Sequence, residues 1–290
     1  MRDDEFGILG ATGQQGGAVV RALLRRGAPV RALVRAVEEP RSRALAAQGV
    51  TVVKADTDDP ARLPEALAGL RGLFAMTVFA SHGARGEVVQ GRAVADAAVA
   101  ANVPHVVYSS VGGADRRSGV PHFESKWEIE EYLRRTGPPT TVIRPVFFMD
   151  NFLTTMAPVR QPDTIILRAP LRPGVPLQMI AVRDIGAVAA AVLLDPSLVP
   201  SGAVEIAGDE NTPEQVAQAF GRRLGVAGRF EPIGLGAVAD PDSQAMFTWL
   251  GDPPAYRADF VTTRRLQPEV AGLETFLAGN RWAPPITGAP

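Results

Sequence analysis

The chain has 290 residues, 46% of them hydrophobic, and a formal net charge of −1, which describes a globular protein able to bury a large core in one big or two closely joined domains. Arginine pairs such as 25–26, 116–117, 222–223 and 264–265 are scattered among acidic residues, so no concentrated basic surface is expected for direct binding of nucleic acid. The absence of cysteine excludes disulfides and thiol catalysis, and three histidines far apart in sequence argue against a metal site.

The first element opens at Phe6 as a short apolar strand. It runs into Gly10-Ala11-Thr12-Gly13-Gln14-Gln15-Gly16 and then into a helix with Val19, Val20, Leu23 and Leu24 on one face. Strand, glycine turn and helix N-terminus together make a site for a diphosphate, because free backbone N–H groups and the helix dipole both favour an anion there. Gly10 permits the sharp turn, Gly13 the approach of phosphate, and Gly16 close packing of helix on sheet. No Lys-Ser or Lys-Thr follows the glycines, which excludes a nucleotide triphosphatase loop.

The second strand, 30–34, ends at Arg35, roughly 20 residues past the glycines, where an acid would accept from a ribose 2′-hydroxyl. Arginine cannot accept and suits a 2′-phosphate, so NADP(H) is the expected cofactor, with Arg41 and Arg43 as candidates for a second contact. A helix at 43–48 and a strand at 50–55 lead to Asp56, which either reaches the adenine amino group or, with Asp58 and Asp59, caps a helix over 62–70. The fourth strand, 72–78, carries Thr77 and Val78 at its end, beside the ribose and diphosphate. The loop 79–86 holds His82, read as solvated. A long alanine-rich helix, 87–101, and a fifth strand, 105–109, lead to Ser110.

The next helix, 122–133, is amphipathic, with His122 and Lys126 one turn apart. A sixth strand ends at Pro145, and the following loop carries Phe147 and Phe148, able to cover a nicotinamide ring. Alternation of strand and helix implies right-handed crossovers and a doubly wound parallel sheet of Rossmann type. Thr12, Arg35, Asp56, Thr77 and Ser110 all fall beyond the strands' C-terminal ends, where ligands collect in such sheets.

These residues resemble the NmrA-like group of atypical short-chain dehydrogenases/reductases. The likeness is carried by the turn 10–16, Arg35, Tyr108-Ser109-Ser110, the His-Phe-x-x-Lys segment ending at Lys126, Arg144-Pro145, the segment 148–151, and Ile180 to Gly186. It implies NADP(H) binding and either reductase activity or a redox-sensing role read by a protein partner. One departure stands out: ordinary short-chain reductases use Tyr-x-x-x-Lys, whereas His122 stands four before Lys126, and Tyr108 and Tyr132 are not at that spacing. Three readings of Lys126 stay open. It binds the nicotinamide ribose; or it donates a proton, alone as in the related isoflavone-reductase-like enzymes or with His122; or it is a solvated helix lysine.

After residue 151 the alternation weakens. Strand-like pieces at 164–167 and 177–180 fit a small α+β substrate lobe built from 151–183 and 208–290. The apolar helix 184–194, capped by Asp184, and a strand at 204–207 return to the Rossmann domain of residues 1–150. Thr212 starts a helix through Leu224, with Pro213 in its first turn. Met246, Phe247, Trp249, Tyr256, Phe260 and Trp282 are either lobe core or a pocket lining, and the proline-rich tail after Trp282 reads as loosely held. The N-terminus lacks a signal-like apolar stretch and the longest apolar run, 185–194, is too short to span a bilayer. The expectation is a cytoplasmic protein with no membrane contact, monomer or homodimer. It would pass hydride from NADPH to a small apolar acceptor such as a quinone, enone or aromatic ketone. A non-catalytic NADP(H) sensor is the alternative.

Overall fold

The computed structural model describes residues 4–280 and 282; the tail after Trp282 lies outside them. The first half alternates as β1 (Glu5–Leu9), α1 (Gln14–Arg25), β2 (Val30–Val34), α2 (Pro40–Ala46), β3 (Thr51–Lys54), α3 (Leu63–Leu67), β4 (Leu70–Ala75), α4 (Phe79–Ala100), β5 (Val106–Ser109), α5 (Pro121–Thr136) and β6 (Thr140–Pro145). The second half runs β7 (Phe147–Phe148), β8 (Val159–Gln161), β9 (Thr164–Ala169), β10 (Leu177–Ile180), α6 (Val182–Leu194), β11 (Ala203–Ile206), β12 (Asp209–Asn211), α7 (Pro213–Leu224), β13 (Ala227–Pro232), α8 (Pro241–Leu250), α9 (Phe260–Leu266) and α10 (Leu273–Ala278).

Seven strands form one parallel sheet in the order β11-β6-β5-β4-β1-β2-β3. Every residue of β1 and β2 is buried, as strands covered by helices on both faces must be. α1 and α6 pack together on one face, α4 and α5 on the other. Small residues set both spacings. A Cβ on Gly186 would sit 2.5 Å from the backbone of Ala18, and one on Gly91 would sit 2.5 Å from Ile129. The order reverses between β1 and β4, the point where a Rossmann sheet opens a crevice at its C-terminal edge.

Beyond residue 146 two smaller sheets form, β12-β10-β7 and β13-β9-β8. Their apolar residues join the core on the α1–α6 face, so that core runs continuously from Phe6 to Phe276. The aromatic group resolves as packing: Met246, Phe247, Trp249, Phe260 and Trp282 lie against this core and Tyr256 inside it. Trp249 bridges Phe123 and Tyr256, with ring centroids 5.1 and 5.3 Å away.

Several expected boundaries move. α1 begins at Gln14, because Gly13 is extended at the N-cap once Gly10 has turned the chain with φ +68°. The segment 79–86 is helical, not a loop; the break within α4 falls at Gly83, where φ is +63°. α3 is short and follows a 3₁₀ turn at 60–62, with no side-chain cap from Asp56, Asp58 or Asp59. α6 starts at Val182, and the cap assigned to Asp184 is supplied by Asp150, whose Oδ2 accepts the Val182 N–H at 2.8 Å. Asp184 lies buried inside the helix and accepts from the Ala271 N–H at 3.0 Å. Thr212 does cap α7, in a reciprocal capping box with Gln215.

Candidate functional site

A cleft of about 440 Å³ opens at the C-terminal edge of the sheet, above β1, β2 and β4. Its floor is the glycine turn, contributing Gly10, Thr12, Gly13, Gln14 and Gln15. The turn is tightened by the Gly13 N–H donating to Gly10 O at 2.9 Å. A Cβ on Gly16 would stand 2.2 Å from that same carbonyl oxygen, so only glycine lets the helix sit this close beneath the turn. No side chain caps the N-terminus of α1, and no acid lies in its first turn; its free N–H groups and dipole favour an anion. Ser109 Oγ donates to Gln15 Oε1 at 2.7 Å and so pins one edge of the turn to the end of β5.

Arg35, at the end of β2, lines the cleft and is exposed. It forms no ion pair among the described residues, whereas Arg43 is taken up by Glu38 at 2.9 Å and lies outside the cleft, as does Arg41. Asp56 departs from expectation. It lines a separate depression with Asp59 and Arg62, and its Oδ1 accepts the Asp58 N–H at 3.1 Å. That turn brings Asp58 to the cleft in its place, beside Thr57. Asp58 Oδ1 accepts from Gln90 Nε2 at 2.8 Å, and Gln90 lies 3.2 Å from His82 Nδ1. His82, expected to be merely solvated, therefore belongs to the cleft wall.

Met76, Thr77 and Val78 form the opposite wall together with Phe148. Phe148 reaches the cleft, while its neighbour Phe147 is buried against Phe152 at 5.5 Å between ring centroids. Pro145 ends β6 and its carbonyl accepts the Gly112 N–H at 2.8 Å, away from the lining. Ala11 and Gly16 are buried under the turn. Ser110 is 6% exposed, and its hydroxyl is buried without a partner among the described residues.

Behind Thr77 lies a polar cluster that sequence reading did not anticipate. Glu87, on α4, is fully buried. It accepts from Lys126 Nζ at 2.9 Å, from Thr77 Oγ1 at 2.9 Å and from Ser125 Oγ at 2.5 Å. Lys126 also donates to the Thr77 carbonyl at 3.3 Å. The Tyr108 hydroxyl lies 3.0 Å from Thr77 Oγ1, and burial pushes its pKa well up, so the phenol stays protonated. Lys126 is thus no solvated helix lysine: its side chain is 13% exposed and ion-paired. One turn earlier, His122 Nδ1 lies 2.6 Å from Asp242 Oδ2, and burial lowers the His122 pKa against the pull of that carboxylate.

A signal for Glu87 was present: it stands in register with the buried residues Gly91, Val94, Ala95 and Ala98 of α4, a lone charge in a small-residue stripe. Nothing comparable marks Asp242, which is 120 residues from His122 in sequence. No group of three or more His, Asp or Glu side chains among the described residues could hold a metal ion. None of their helices is long and apolar enough to cross a membrane.

Sheet order, glycine turn and cleft define a Rossmann-type α/β protein. The model of the NmrA-like family matches residues 3–245, and the chain belongs to that family. Among curated relatives, the NmrA-like family domain-containing oxidoreductase FrzB of Cladobotryum sp is 33% identical over 52% of this chain and 49% of its own length. The chain thus spans about half of that relative. Among solved structures, the NADPH-dependent quinone oxidoreductase QOR2 of Escherichia coli, complexed with NADPH, is 25% identical, covers 94% of this chain and 98% of its own, and superposes with a TM-score of 0.77. NmrA, a negative transcriptional regulator solved with NAD, is 21% identical with a TM-score of 0.80 over 96% of this chain and 95% of its own, a likeness of fold.

Proposed function

We propose that this chain is an NADPH-dependent oxidoreductase that reduces a small apolar acceptor such as a quinone, enone or aromatic ketone. The observation that carries the reading is the cleft that joins an uncapped helix N-terminus behind a glycine turn to Arg35 at the end of β2, which has no ion-pair partner among the described residues. The first holds a diphosphate and the second a ribose 2′-phosphate. In this reading Gly10, Thr12, Gly13, Gln14 and Gln15 hold the diphosphate from the turn, which Ala11 and Gly16 shape from beneath, and Asp58 replaces Asp56 at the adenine end. Thr77, Val78 and Phe148 flank the nicotinamide end; Phe147, Pro145 and Ser110 support that wall from behind. NADPH, when bound, supplies a hydride. Lys126, fixed by Glu87 beside the Thr77 carbonyl, holds the ribose hydroxyls and lends positive charge near the reacting ring, and the strands and helices beyond residue 151 exclude water from the acceptor.

Arg35→Asp is expected to turn preference from NADP(H) toward NAD(H). A charged hydrogen bond is worth about 1.5–3 kcal/mol, and Arg35 is solvent-exposed, so the lower figure applies, roughly a tenfold change in relative kcat/KM. Steady-state kinetics with both cofactors measures it, and an unchanged preference removes Arg35 from the site.

The second reading is a non-catalytic NADP(H) sensor. It draws on the same cleft together with the engagement of Lys126 by Glu87, which ties up that lysine's charge. Loss of NADPH absorbance on adding quinones and enones decides for the enzyme. Redox-selective cofactor binding without turnover, together with capture of a defined protein partner, decides for the sensor.

A further inference from the structure

We propose that Asp242, carried on α8, is a positioning residue that keeps a proton on His122 Nδ1, so that the ring's other nitrogen, Nε2, once protonated from solvent, passes that second proton to the acceptor as the hydride arrives. This rests on the reductase reading above and adds to it a substrate class: acceptors that must be protonated on oxygen or nitrogen during reduction.

Both oxygens of the Asp242 carboxylate are committed to one residue. Oδ2 lies 2.6 Å from His122 Nδ1, and Oδ1 accepts the His122 backbone N–H at 2.9 Å. A carboxylate only accepts, so the shared proton belongs to Nδ1 and the neutral ring carries its lone pair on Nε2. Asp242 sits in the first turn of α8. Both side chains are largely buried, at 18% and 12% exposure, and they join α5 to a helix 120 residues further on. Alone, the backbone contact would be a cap for α5, whose N-cap residue Val120 contributes none. The ring contact exceeds what capping requires.

His122 stands next to the cleft wall without lining it. The His122 ring is 5.8 Å, centroid to centroid, from Phe79, the residue following Val78 of the cleft wall. Lys126, one turn on, bonds the Thr77 carbonyl of the same wall. When hydride forms a new bond at the acceptor, the displaced π pair settles on its oxygen or nitrogen. The donating form is the imidazolium: Nε2 first takes a proton from solvent, that atom of the acceptor then takes it as the hydride bond forms, and the imidazole is left neutral with its proton on Nδ1. The charged groups facing the ring are Asp242 and Asp240 at the start of α8, Lys126 on its own helix and Glu87 on α4. Asp242 and Glu87 favour the protonated ring, while burial and Lys126 oppose it, and the balance lies below the ordinary histidine value.

The test combines spectroscopy and kinetics. With ¹⁵N-histidine labelling, the three histidines give a spectrum in which His122 is expected to show a protonated Nδ1 and an unprotonated Nε2 at neutral pH. Asp242→Ala is expected to lose that preference. In quinone reduction, kcat of the wild type falls as pH rises through the His122 pKa. Removing the carboxylate moves that inflection to lower pH and lowers kcat at neutral pH about tenfold, a modest share of what general acid catalysis contributes, with the Kd for NADPH unchanged. A cap lost without a catalytic role would lower Tm and leave the pH profile in place, which overturns the inference. So does a wild-type Nε2–H tautomer, or a His122→Asn variant with undiminished kcat. A protein that binds NADPH yet reduces no acceptor overturns the reductase reading itself, a result distinct from these.

Discussion

Lys126→Ala is expected to destabilise the protein by roughly 3–5 kcal/mol, the range for removing one partner of a buried ion pair. The cost arises at Glu87. Its carboxylate is fully buried and would keep only the Thr77 and Ser125 hydroxyls as donors, too little to solvate a charge away from water. The simple alanine variant therefore mixes a folding defect with any functional one. Lys126→Met combined with Glu87→Gln removes both charges, retains volume, and leaves an amide able to engage the two hydroxyls. Its stability is expected to return to within about 1–2 kcal/mol of the wild type, since apolar replacement of a whole buried pair is often close to neutral. Urea denaturation of the single and double variants measures this. If the single variant is as stable as the wild type, Glu87 does not depend on the ammonium. In the stable double variant, a raised KM for NADPH marks Lys126 as a ribose ligand, and a lowered kcat at unchanged KM marks it as a participant in the chemical step.

The second large effect is expected at Gly16. A Cβ there would lie 2.2 Å from Gly10 O, 2.6 Å from Gly10 C and 3.0 Å from Ala11 N. All three are backbone atoms, so no rotamer change relieves the clash, and either the turn or α1 must move. Overpacking of this kind costs about 1–3 kcal/mol. Here it falls on the turn whose N–H groups would meet the diphosphate, so Gly16→Val is expected to weaken NADPH binding about 10- to 100-fold, at roughly 1.4 kcal/mol per factor of ten. Calorimetric titration reads the affinity, and thermal unfolding reads the stability. Affinity preserved alongside a lowered Tm would separate the turn from cofactor binding. Gly13 differs, since a Cβ there would meet only Gly10 O, at 3.2 Å, and a smaller loss of stability follows from alanine at that position.

The sequence by itself determined the parallel sheet, the glycine turn and the arginine at the end of the second strand. Each depends on residues close together in the chain: period-two and period-3.6 apolar patterns, glycines at fixed offsets, and a side chain at a strand end. Boundaries slipped where backbone geometry outranked side-chain pattern, as at Gly83 inside α4 and at the extended Gly13 before α1. Only the tertiary structure decided that Asp58 and not Asp56 meets the cleft, because a local turn hydrogen bond interchanges them. It alone brought Glu87 to Lys126 and Asp242 to His122, and it placed Phe148 toward the cleft but Phe147 in the core. These pairings join helices distant in sequence, and the burial that makes a charge need a partner exists only once α4, α5 and α8 have packed.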